Sequence, residues 1–204
     1  MVPLFKRKSA YNPGNYRGIH LTSQISKVAE RIIASLFVPQ LINLGAYGRN
    51  QFAYMPERGA RDALAQLVLT WISMFAKRRK IAIYCSDVSG AFDKVNSRRL
   101  LCKLRSRGVP DVILLVIQSW LYVRNARVAV GGKFSRDMKI KNIVYQGTVL
   151  GPPLWNIYYA DAALAVNLIG FMEIIFADDL NSFKDFGVQT PNSELQAEID
   201  QCQQ

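Results

Sequence analysis

The spacing of apolar residues predicts two amphipathic helices near the start of the chain. After Thr22-Ser23, which suits a helix cap, apolar side chains recur at helical spacing at Ile25, Val28, Ala29, Ile32, Ile33 and Leu36. This pattern covers residues 22–44, and Pro39 should kink or end the helix. The second pattern covers residues 58–80 and ends in basic residues, which suit the negative end of a helix dipole. Its apolar positions are Leu64, Leu67, Val68, Trp71 and Phe75.

The pattern then changes to the two-residue period of strands. Residues 81–87, IAIYCSD, alternate in this way and predict a strand that ends at Asp87. Residues 126–145 predict a hairpin around Gly131-Gly132, and residues 172–183, MEIIFADDLNSF, predict two strands that turn at a pair of aspartates. Antiparallel strands are therefore expected in the middle and in the last third of the chain.

Caps and prolines predict further helices between and after these strands. Asn96 is placed to cap a basic helix, Pro110 to open an apolar helix, and a third helix should follow Pro152-Pro153. Near the C-terminus, Ser193 and Gln196 have the spacing of a capping box. The mixture of helices and strands predicts an α+β fold.

The composition favours a globular chain with an anionic partner. The chain has 204 residues, of which 50% are hydrophobic, and this supports a sizeable core. Its 26 Lys and Arg against 15 Asp and Glu give a formal charge of +11, which favours nucleic acid or an anionic membrane as a partner. No stretch reaches the apolar length of a membrane span, and the N-terminus has no apolar signal core. We therefore expect an intracellular, non-secreted protein without a membrane partner.

The three cysteines predict neither a disulfide framework nor a zinc site. Cys85, Cys102 and Cys202 are far apart and form no CxxC pair. This usage is typical of a reducing compartment.

Three short stretches place acidic residues or glycine at predicted strand ends and loops. SDVSGAFDKV puts Asp87 at a strand end, YQGTVLGPPLWN contains Gln146-Gly147, and FADDL puts Asp178 and Asp179 at the tip of a hairpin. Two adjacent carboxylates repel each other, and burying one without a partner costs several kcal/mol. Each stretch alone also fits an ordinary turn, loop or helix cap. The order of all three is more informative than any single one.

In this order and at these spacings, the stretches resemble the palm motifs of reverse transcriptases. The resemblance is strongest to the enzymes of non-LTR, LINE-like or jockey-type retrotransposons. DVSGAFDKV matches the first palm motif, QGTVLGPPLWNIY the second and FADD the third. NYRGIHLTSQISKVAERI looks like the finger segment of this family, and NQFAYMPERGARDAL is similar to its QFGFRPGRGTTDA stretch. The resemblance covers nearly the whole chain and implies an α+β fold of fingers and palm, with an antiparallel palm sheet packed on helices.

The resemblance also implies a domain order. The fingers region would cover residues 1–80, a palm with an inserted finger hairpin residues 81–186, and a truncated continuation of the palm residues 187–204. We find no match to the later palm motif that carries a lysine, to a primer-grip hairpin, or to a thumb, endonuclease or ribonuclease H region. We therefore expect a fragment without a thumb that is inactive in isolation.

The implied reaction is RNA-directed DNA synthesis during retrotransposition. A primer 3′-hydroxyl attacks the α-phosphate of a nucleotide, while two Mg²⁺ ions about 3.5–4 Å apart stabilise the attacking and leaving oxygens. Mg²⁺ prefers hard oxygen ligands, so two or three carboxylates and the substrate phosphates suffice. By resemblance, Asp87 and Asp178 are direct ligands, Asp179 is a weaker or accessory ligand, and the backbone carbonyl of Val88 also contacts a metal. Mn²⁺ is a possible substitute, and the implied partners are an RNA template, a DNA primer and deoxynucleoside triphosphates.

Further residues match nucleotide-binding positions of the family. Phe92 matches an aromatic gate that lies under the sugar and rejects a 2′-hydroxyl, although a Phe packed at a helix start would look the same. Gln146 and Gly147 resemble a loop that supports the incoming nucleotide and the templating strand. Arg17 matches a finger arginine that holds the triphosphate. Lys6 or Lys8 is the candidate second cation, with a solvated surface position as the alternative.

Some positions depart from the family pattern, and two alternative functions stay open. Gly18 and Tyr145 stand where proline is usual, and Pro153 replaces an apolar residue. None of these changes removes a metal ligand. The alternatives are a group II intron maturase-like reverse transcriptase and a non-catalytic nucleic-acid-binding remnant of a decayed element.

Overall fold

The computed structural model describes residues 1–7, 9–122, 124–140 and 144–202. In chain order the elements are β1 (Val2–Phe5), β2 (Tyr16–Ile19), α1 (Gln24–Asn43), α2 (Ala60–Ala76), β3 (Lys80–Asp87), α3 (Ser97–Ser106), α4 (Asp111–Leu121), β4 (Arg124–Ala126), β5 (Ala129–Val130), β6 (Lys133–Phe134), β7 (Met138–Ile140), α5 (Gly151–Leu168), β8 (Met172–Phe176), β9 (Asp179–Phe186) and α6 (Asn192–Gln201). Short 3-10 turns at Pro13–Asn15 and Ala91–Lys94 complete the order. The mixture of helices and antiparallel strands confirms the α+β prediction.

The chain packs as two compact units. Unit 1 comprises Met1–Leu44 and Gly90–Tyr158, and unit 2 comprises Gly45–Ser89 and Tyr159–Gln204. The helix α5 contributes residues to both units. This division is based on the packing of the chain, whereas the predicted boundaries of fingers and palm are based on sequence motifs. The predicted boundaries therefore stay a prediction.

Unit 2 is built around an antiparallel sheet in the order β3-β9-β8. Neighbouring strand residues point to opposite faces, so Ile174 and Ile175 of β8 enter different apolar clusters. The cluster on one face contains residues of α2 and the other contains residues of α5. The first cluster consists of Phe52, Ala63, Leu67, Met74, Ile174 and Phe183. The second cluster consists of Ala163, Val166, Phe171, Ile175 and Leu180. The predicted antiparallel sheet packed on helices is confirmed.

Within its described residues, unit 1 contains three antiparallel strand pairs, β1-β2, β4-β7 and β5-β6, together with α1, α3 and α4. The hairpin predicted around Gly131-Gly132 is the β5-β6 pair. Asn96 caps α3 as predicted, because its side-chain oxygen accepts a hydrogen bond from the Arg99 backbone N–H at 3.0 Å.

One local prediction is wrong, and of the two outcomes predicted for Pro39, a kink or the end of α1, the second is wrong. Pro39 does not end α1, which continues to Asn43, and the buried Leu41 beyond the proline anchors its last turn in the core. The capping box at Ser193 is absent, since α6 begins at Asn192 and Gln196 donates to Asp200 within the helix.

Several predicted apolar positions face solvent. On α1, Ile25 is 83% exposed and Ile32 is 59% exposed, while Glu30 and Phe37 are buried. The helical period was therefore correct, but it did not identify the buried face. Among the residues that the structure describes, no helix combines the length and apolarity needed to cross a membrane.

Candidate catalytic site

Three aspartates come together at one end of the unit 2 sheet. The strand β8 ends at Phe176, Ala177 and Asp178 form a two-residue turn, and β9 begins at Asp179. Asp87, the last residue of β3, is the register partner of Asp179. Side chains of directly opposed residues in an antiparallel pair lie on the same face, with Cβ atoms about 4.5–5.5 Å apart. The sheet therefore holds Asp87 and Asp179 as neighbours, with Asp178 one residue away.

The negative charge of this cluster affects the pKa of Tyr159, a residue of α5 that belongs to the same unit. Burial, followed by the negative charges of Asp178, Asp179 and Asp87 and the nearby Tyr84, raises the pKa of the Tyr159 hydroxyl to about 12. Asp87 and Asp179 are exposed and Asp178 is half-buried, so all three carboxylates lie at an accessible edge of the sheet. The electrostatic potential at this end of the sheet is therefore negative, which suits a bound cation.

The donors of this cluster fit a hard divalent cation that keeps open coordination positions. Carboxylate oxygens are the ligands that Mg²⁺ and Mn²⁺ prefer. In the described part of the chain, no group of three or more His, Cys, Asp or Glu side chains is arranged so that it could hold a metal ion. Magnesium usually retains waters and binds substrate phosphates, so a pair of carboxylates with a third nearby is the expected arrangement.

The predicted nucleotide-binding loop lies in unit 1 and requires glycine at its second position. Gly147 has a φ of +89°, and a Cβ there would approach the His20 carbonyl oxygen to 2.9 Å. The His20 backbone N–H donates to the Gln146 carbonyl at 2.9 Å. The backbone at Gly147 thus lies close to the segment that follows β2.

A buried carboxylate that the sequence analysis did not identify holds the end of this loop. Glu30, 3% exposed, accepts hydrogen bonds through Oε2 from the backbone N–H groups of Val149 (2.6 Å) and Leu150 (3.1 Å). Its Oε1 accepts from the Trp120 indole N–H at 3.3 Å. The two N–H groups precede α5, where a helix leaves donors without partners and favours negative charge. In the sequence, Glu30 was part of the finger-like segment NYRGIHLTSQISKVAERI but was not singled out as a candidate site residue.

Phe92 has a packing partner in unit 1. Its ring is half-buried and stacked on Trp155, with centroids 5.8 Å apart and an interplanar angle of 28°. Its carbonyl accepts from the Val144 N–H at 3.1 Å, which connects Phe92 to the segment that leads into the Gln146 loop. Both the gate and the packing interpretation are compatible with this position, so the gate stays a prediction.

The predicted triphosphate-binding cations belong to the N-terminal hairpin. Arg17 on β2 is the register partner of Leu4, and Lys6 follows β1. Both side chains are exposed. Lys8 lies outside the described residues. Arg17, Lys6, Phe92, Gln146 and Gly147 thus belong to unit 1, whereas the aspartates and Val88 belong to unit 2.

Comparison with known proteins identifies the class. A profile described as "Reverse transcriptase (RNA-dependent DNA polymerase)" matches residues 6–203. The chain belongs to this family, and the prediction made from the palm motifs is confirmed. Members of the family generally use divalent metal ions.

The curated relatives come from mobile elements. The RNA-directed DNA polymerase from mobile element jockey of Drosophila melanogaster is 28% identical over 154 residues, which cover 76% of this chain and 17% of the relative. The probable RNA-directed DNA polymerase from transposon X-element of the same species is 29% identical over 175 residues, covering 85% of this chain and 19% of the relative. The chain thus spans less than a fifth of the length of these relatives. They confirm the predicted kinship with non-LTR retrotransposon enzymes.

Solved structures support the fold. Telomerase from Candida albicans in complex with a TWJ fragment of telomeric RNA superposes with a TM-score of 0.59 at 16% identity, covering 87% of this chain and 32% of that one. Apo telomerase from Candida tropicalis gives a TM-score of 0.57 at 14% identity, covering 87% and 36%. These similarities show a shared reverse transcriptase fold.

Proposed function

We infer that this chain carries the catalytic centre of an RNA-directed DNA polymerase of a non-LTR retrotransposon. The observation that carries the proposal is the pairing of Asp87 with Asp179 across the sheet, with Asp178 in the adjoining turn. Adjacent, accessible carboxylates are the ligand set for nucleotidyl transfer by divalent ions. The membership of the chain in the reverse transcriptase family supports the same reaction.

In this proposal Asp87 and Asp178 bind the ions directly, Asp179 is an accessory ligand, and the Val88 carbonyl adds one oxygen. Two Mg²⁺ ions, for which Mn²⁺ can substitute, supply the positive charge that stabilises the attacking and leaving oxygens. The three carboxylates orient the reacting groups and offset the ionic charge. The repulsion between Asp178 and Asp179, which is unfavourable in the protein alone, becomes a means of binding cations.

The residues of unit 1 are proposed to bind the nucleotide. Gln146 and Gly147 support the deoxynucleoside triphosphate, and Arg17 with Lys6 or Lys8 binds its phosphates. Phe92 rejects a 2′-hydroxyl by steric exclusion.

The template and primer are proposed to be RNA and DNA. The names of the curated relatives, which are RNA-directed DNA polymerases, support this assignment, as does the complex of a structural neighbour with telomeric RNA. The formal charge of +11 suits binding to phosphate backbones.

The test is the addition of one nucleotide to a DNA primer annealed to an RNA template. The chain is joined to the region that follows the matching segment in the jockey polymerase, because it spans only 17% of the length of that relative. Asp87→Asn and Asp178→Asn should each lower the rate by at least about 10³-fold, since charge is lost with little change of volume. Asp179→Asn should have a smaller effect.

Asp111→Asn serves as the control. Asp111 forms an exposed ion pair with Arg105, so its loss should leave the rate unchanged. Substantial extension by the Asp178→Asn protein would refute the assignment. An inactive wild-type fusion that still binds the primer–template would favour a non-catalytic remnant.

A further inference from the structure

The turn that carries Asp178 is bonded to a buried side chain from a distant part of unit 2. Gln51 is 2% exposed. Its Oε1 accepts from the Ala177 backbone N–H at 3.1 Å, and its Nε2 donates to the Ala177 carbonyl at 3.4 Å. One amide side chain therefore engages both main-chain polar groups of the residue that precedes Asp178.

Ala177 has a backbone conformation that alanine rarely adopts. Its φ is +60°, in the left-handed region where a Cβ crowds the backbone. Two-residue hairpin turns need such angles and usually place glycine, asparagine or aspartate there. A non-glycine residue keeps this conformation only when its surroundings enforce it. The bonds from Gln51 supply such a constraint.

The segment that carries Gln51 is itself fixed against the sheet. The Phe52 N–H donates to the Ile175 carbonyl, and the Ile175 N–H donates to the Asn50 carbonyl, each at 2.9 Å. The Gln51 Oε1 also accepts from the Ala53 N–H at 3.0 Å, which fixes the orientation of the amide. Gln51 is thus held on a rigid backbone beside β8.

We propose that Gln51 is a positioning residue that holds Ala177 in its left-handed conformation and thereby orients the Asp178 carboxylate for metal binding. The proposal rests on the metal role of Asp178 proposed above. Without the Gln51 bonds, the turn relaxes to a conformation that alanine tolerates. The next residue, Asp178, then points in a different direction.

The test uses the intact 204-residue chain and measures Mn²⁺ affinity by electron paramagnetic resonance. Gln51→Met removes the amide and keeps a side chain of similar length. We expect it to weaken Mn²⁺ binding about tenfold and to speed hydrogen exchange at the Ala177 amide. Gln66→Met, on the exposed side of α2 in the same unit, is the matched control and should change neither quantity.

A second substitution separates positioning from general stability. Glycine adopts a φ of +60° without strain, so adding Ala177→Gly to Gln51→Met should restore Mn²⁺ affinity to within about threefold of wild type. Ala177→Gly alone should bind Mn²⁺ as wild type does. A purely structural role for Gln51 predicts no such rescue. If Gln51→Met does not fold, Gln51→Asn keeps the amide but shortens its reach, and should show the same loss and the same rescue.

The outcomes distinguish this inference from the proposed function. Unchanged Mn²⁺ affinity in folded Gln51→Met or Gln51→Asn, or failure of Ala177→Gly to restore it, overturns the role of Gln51 while the aspartate site stands. Wild-type Mn²⁺ binding that does not depend on Asp178 overturns the metal site itself, and the positioning role with it.

Discussion

The aspartate turn of unit 2 and the Gln146 loop of unit 1 are both held by a buried side chain from elsewhere in the sequence, but the chemistry differs. At the turn, the neutral amide of Gln51 bonds the N–H and the carbonyl of Ala177. At the loop, the carboxylate of Glu30 accepts two N–H bonds before α5 and a third from Trp120.

The difference follows from the groups that each region leaves without partners. The turn offers one donor and one acceptor beside aspartates, where an additional negative charge would be repelled, so an amide suits it. The start of a helix offers donors only and has a positive electrostatic potential, so a carboxylate suits it. Gln51 and Glu30 lie in the family-like stretches and carry no reacting atom. Such residues can therefore serve to position the segments that carry the candidate site residues.

Of the two buried side chains Gln51 and Glu30, substitution of the charged one, Glu30, should have the largest effect on the free energy of unfolding. Glu30→Gln removes the charge and replaces one acceptor oxygen by an NH₂ group, which must then face either the Val149 and Leu150 N–H groups or the Trp120 indole N–H. It should lower the free energy of unfolding by about 2–3 kcal/mol in urea titrations. Glu173→Gln, at a buried glutamate of unit 2, is the matched control and should cost less than about 1 kcal/mol. Equal losses for the two variants would remove the distinction between the regions.

The two regions should also respond differently to the exchange of glycine and alanine. Gly147→Ala introduces a Cβ 2.9 Å from the His20 carbonyl at a φ of +89°, and should lower the free energy of unfolding by about 1–3 kcal/mol. Ala177→Gly removes a Cβ at a φ of +60°, so its effect should lie within about 1 kcal/mol of zero. Thermal unfolding of both variants measures this contrast. A tolerated Gly147→Ala would contradict the close approach at the loop.

Phe92 tests whether the loop region also selects the sugar. Phe92→Val, in the fusion used for primer extension, should lower discrimination against ribonucleotides about tenfold or more, while deoxynucleotide incorporation falls less. The measurement is the ratio of kcat/KM for matched deoxy- and ribonucleotides. Trp155→Phe keeps an aromatic stacking partner for Phe92 and controls for altered packing. Unchanged discrimination in Phe92→Val would make Phe92 a packing residue only.

The smallest effect is a pH dependence in unit 2. Burial raises the pKa of Glu173 above its usual value of 4.5, so the folded protein binds this proton more tightly than the unfolded chain. The contribution of Glu173 to stability therefore falls as pH rises from 4.5 through the raised pKa. Glu173→Gln removes this dependence, so the stability of the variant relative to wild type should increase from pH 4 to pH 7. A constant difference across that range would show that Glu173 titrates normally.

The sequence predicted the elements of the sheet better than the faces of the helices. Alternation located β3 and the β8-β9 hairpin, because the strand period and the acidic turn are local signals. The apolar period of α1 located the helix, yet its exposed positions include Ile25 and Ile32. The spacing of apolar residues identifies one face of a helix. Whether that face is buried depends on which other parts of the chain cover it.

The sequence predicted only part of the candidate site, because some of its residues act through contacts with distant parts of the chain. The aspartates carry their chemistry in their residue type, and the motif order located them. Gln51 and Glu30 act through hydrogen bonds to backbone groups that are distant in sequence, and no local pattern reports such bonds. The strain at Ala177 was equally hidden, since alanine is not a turn signal.

The most direct test of the metal site is a Mn²⁺ titration of the intact chain followed by paramagnetic broadening of its amide signals. We predict broadening centred on Asp87, Asp178 and Asp179, and its loss in Asp178→Asn. The acidic helix α6, with Glu194, Glu198 and Asp200, is an internal comparison and should broaden less at equal Mn²⁺. Broadening that is centred on α6, or that persists at the turn in Asp178→Asn, would contradict the account.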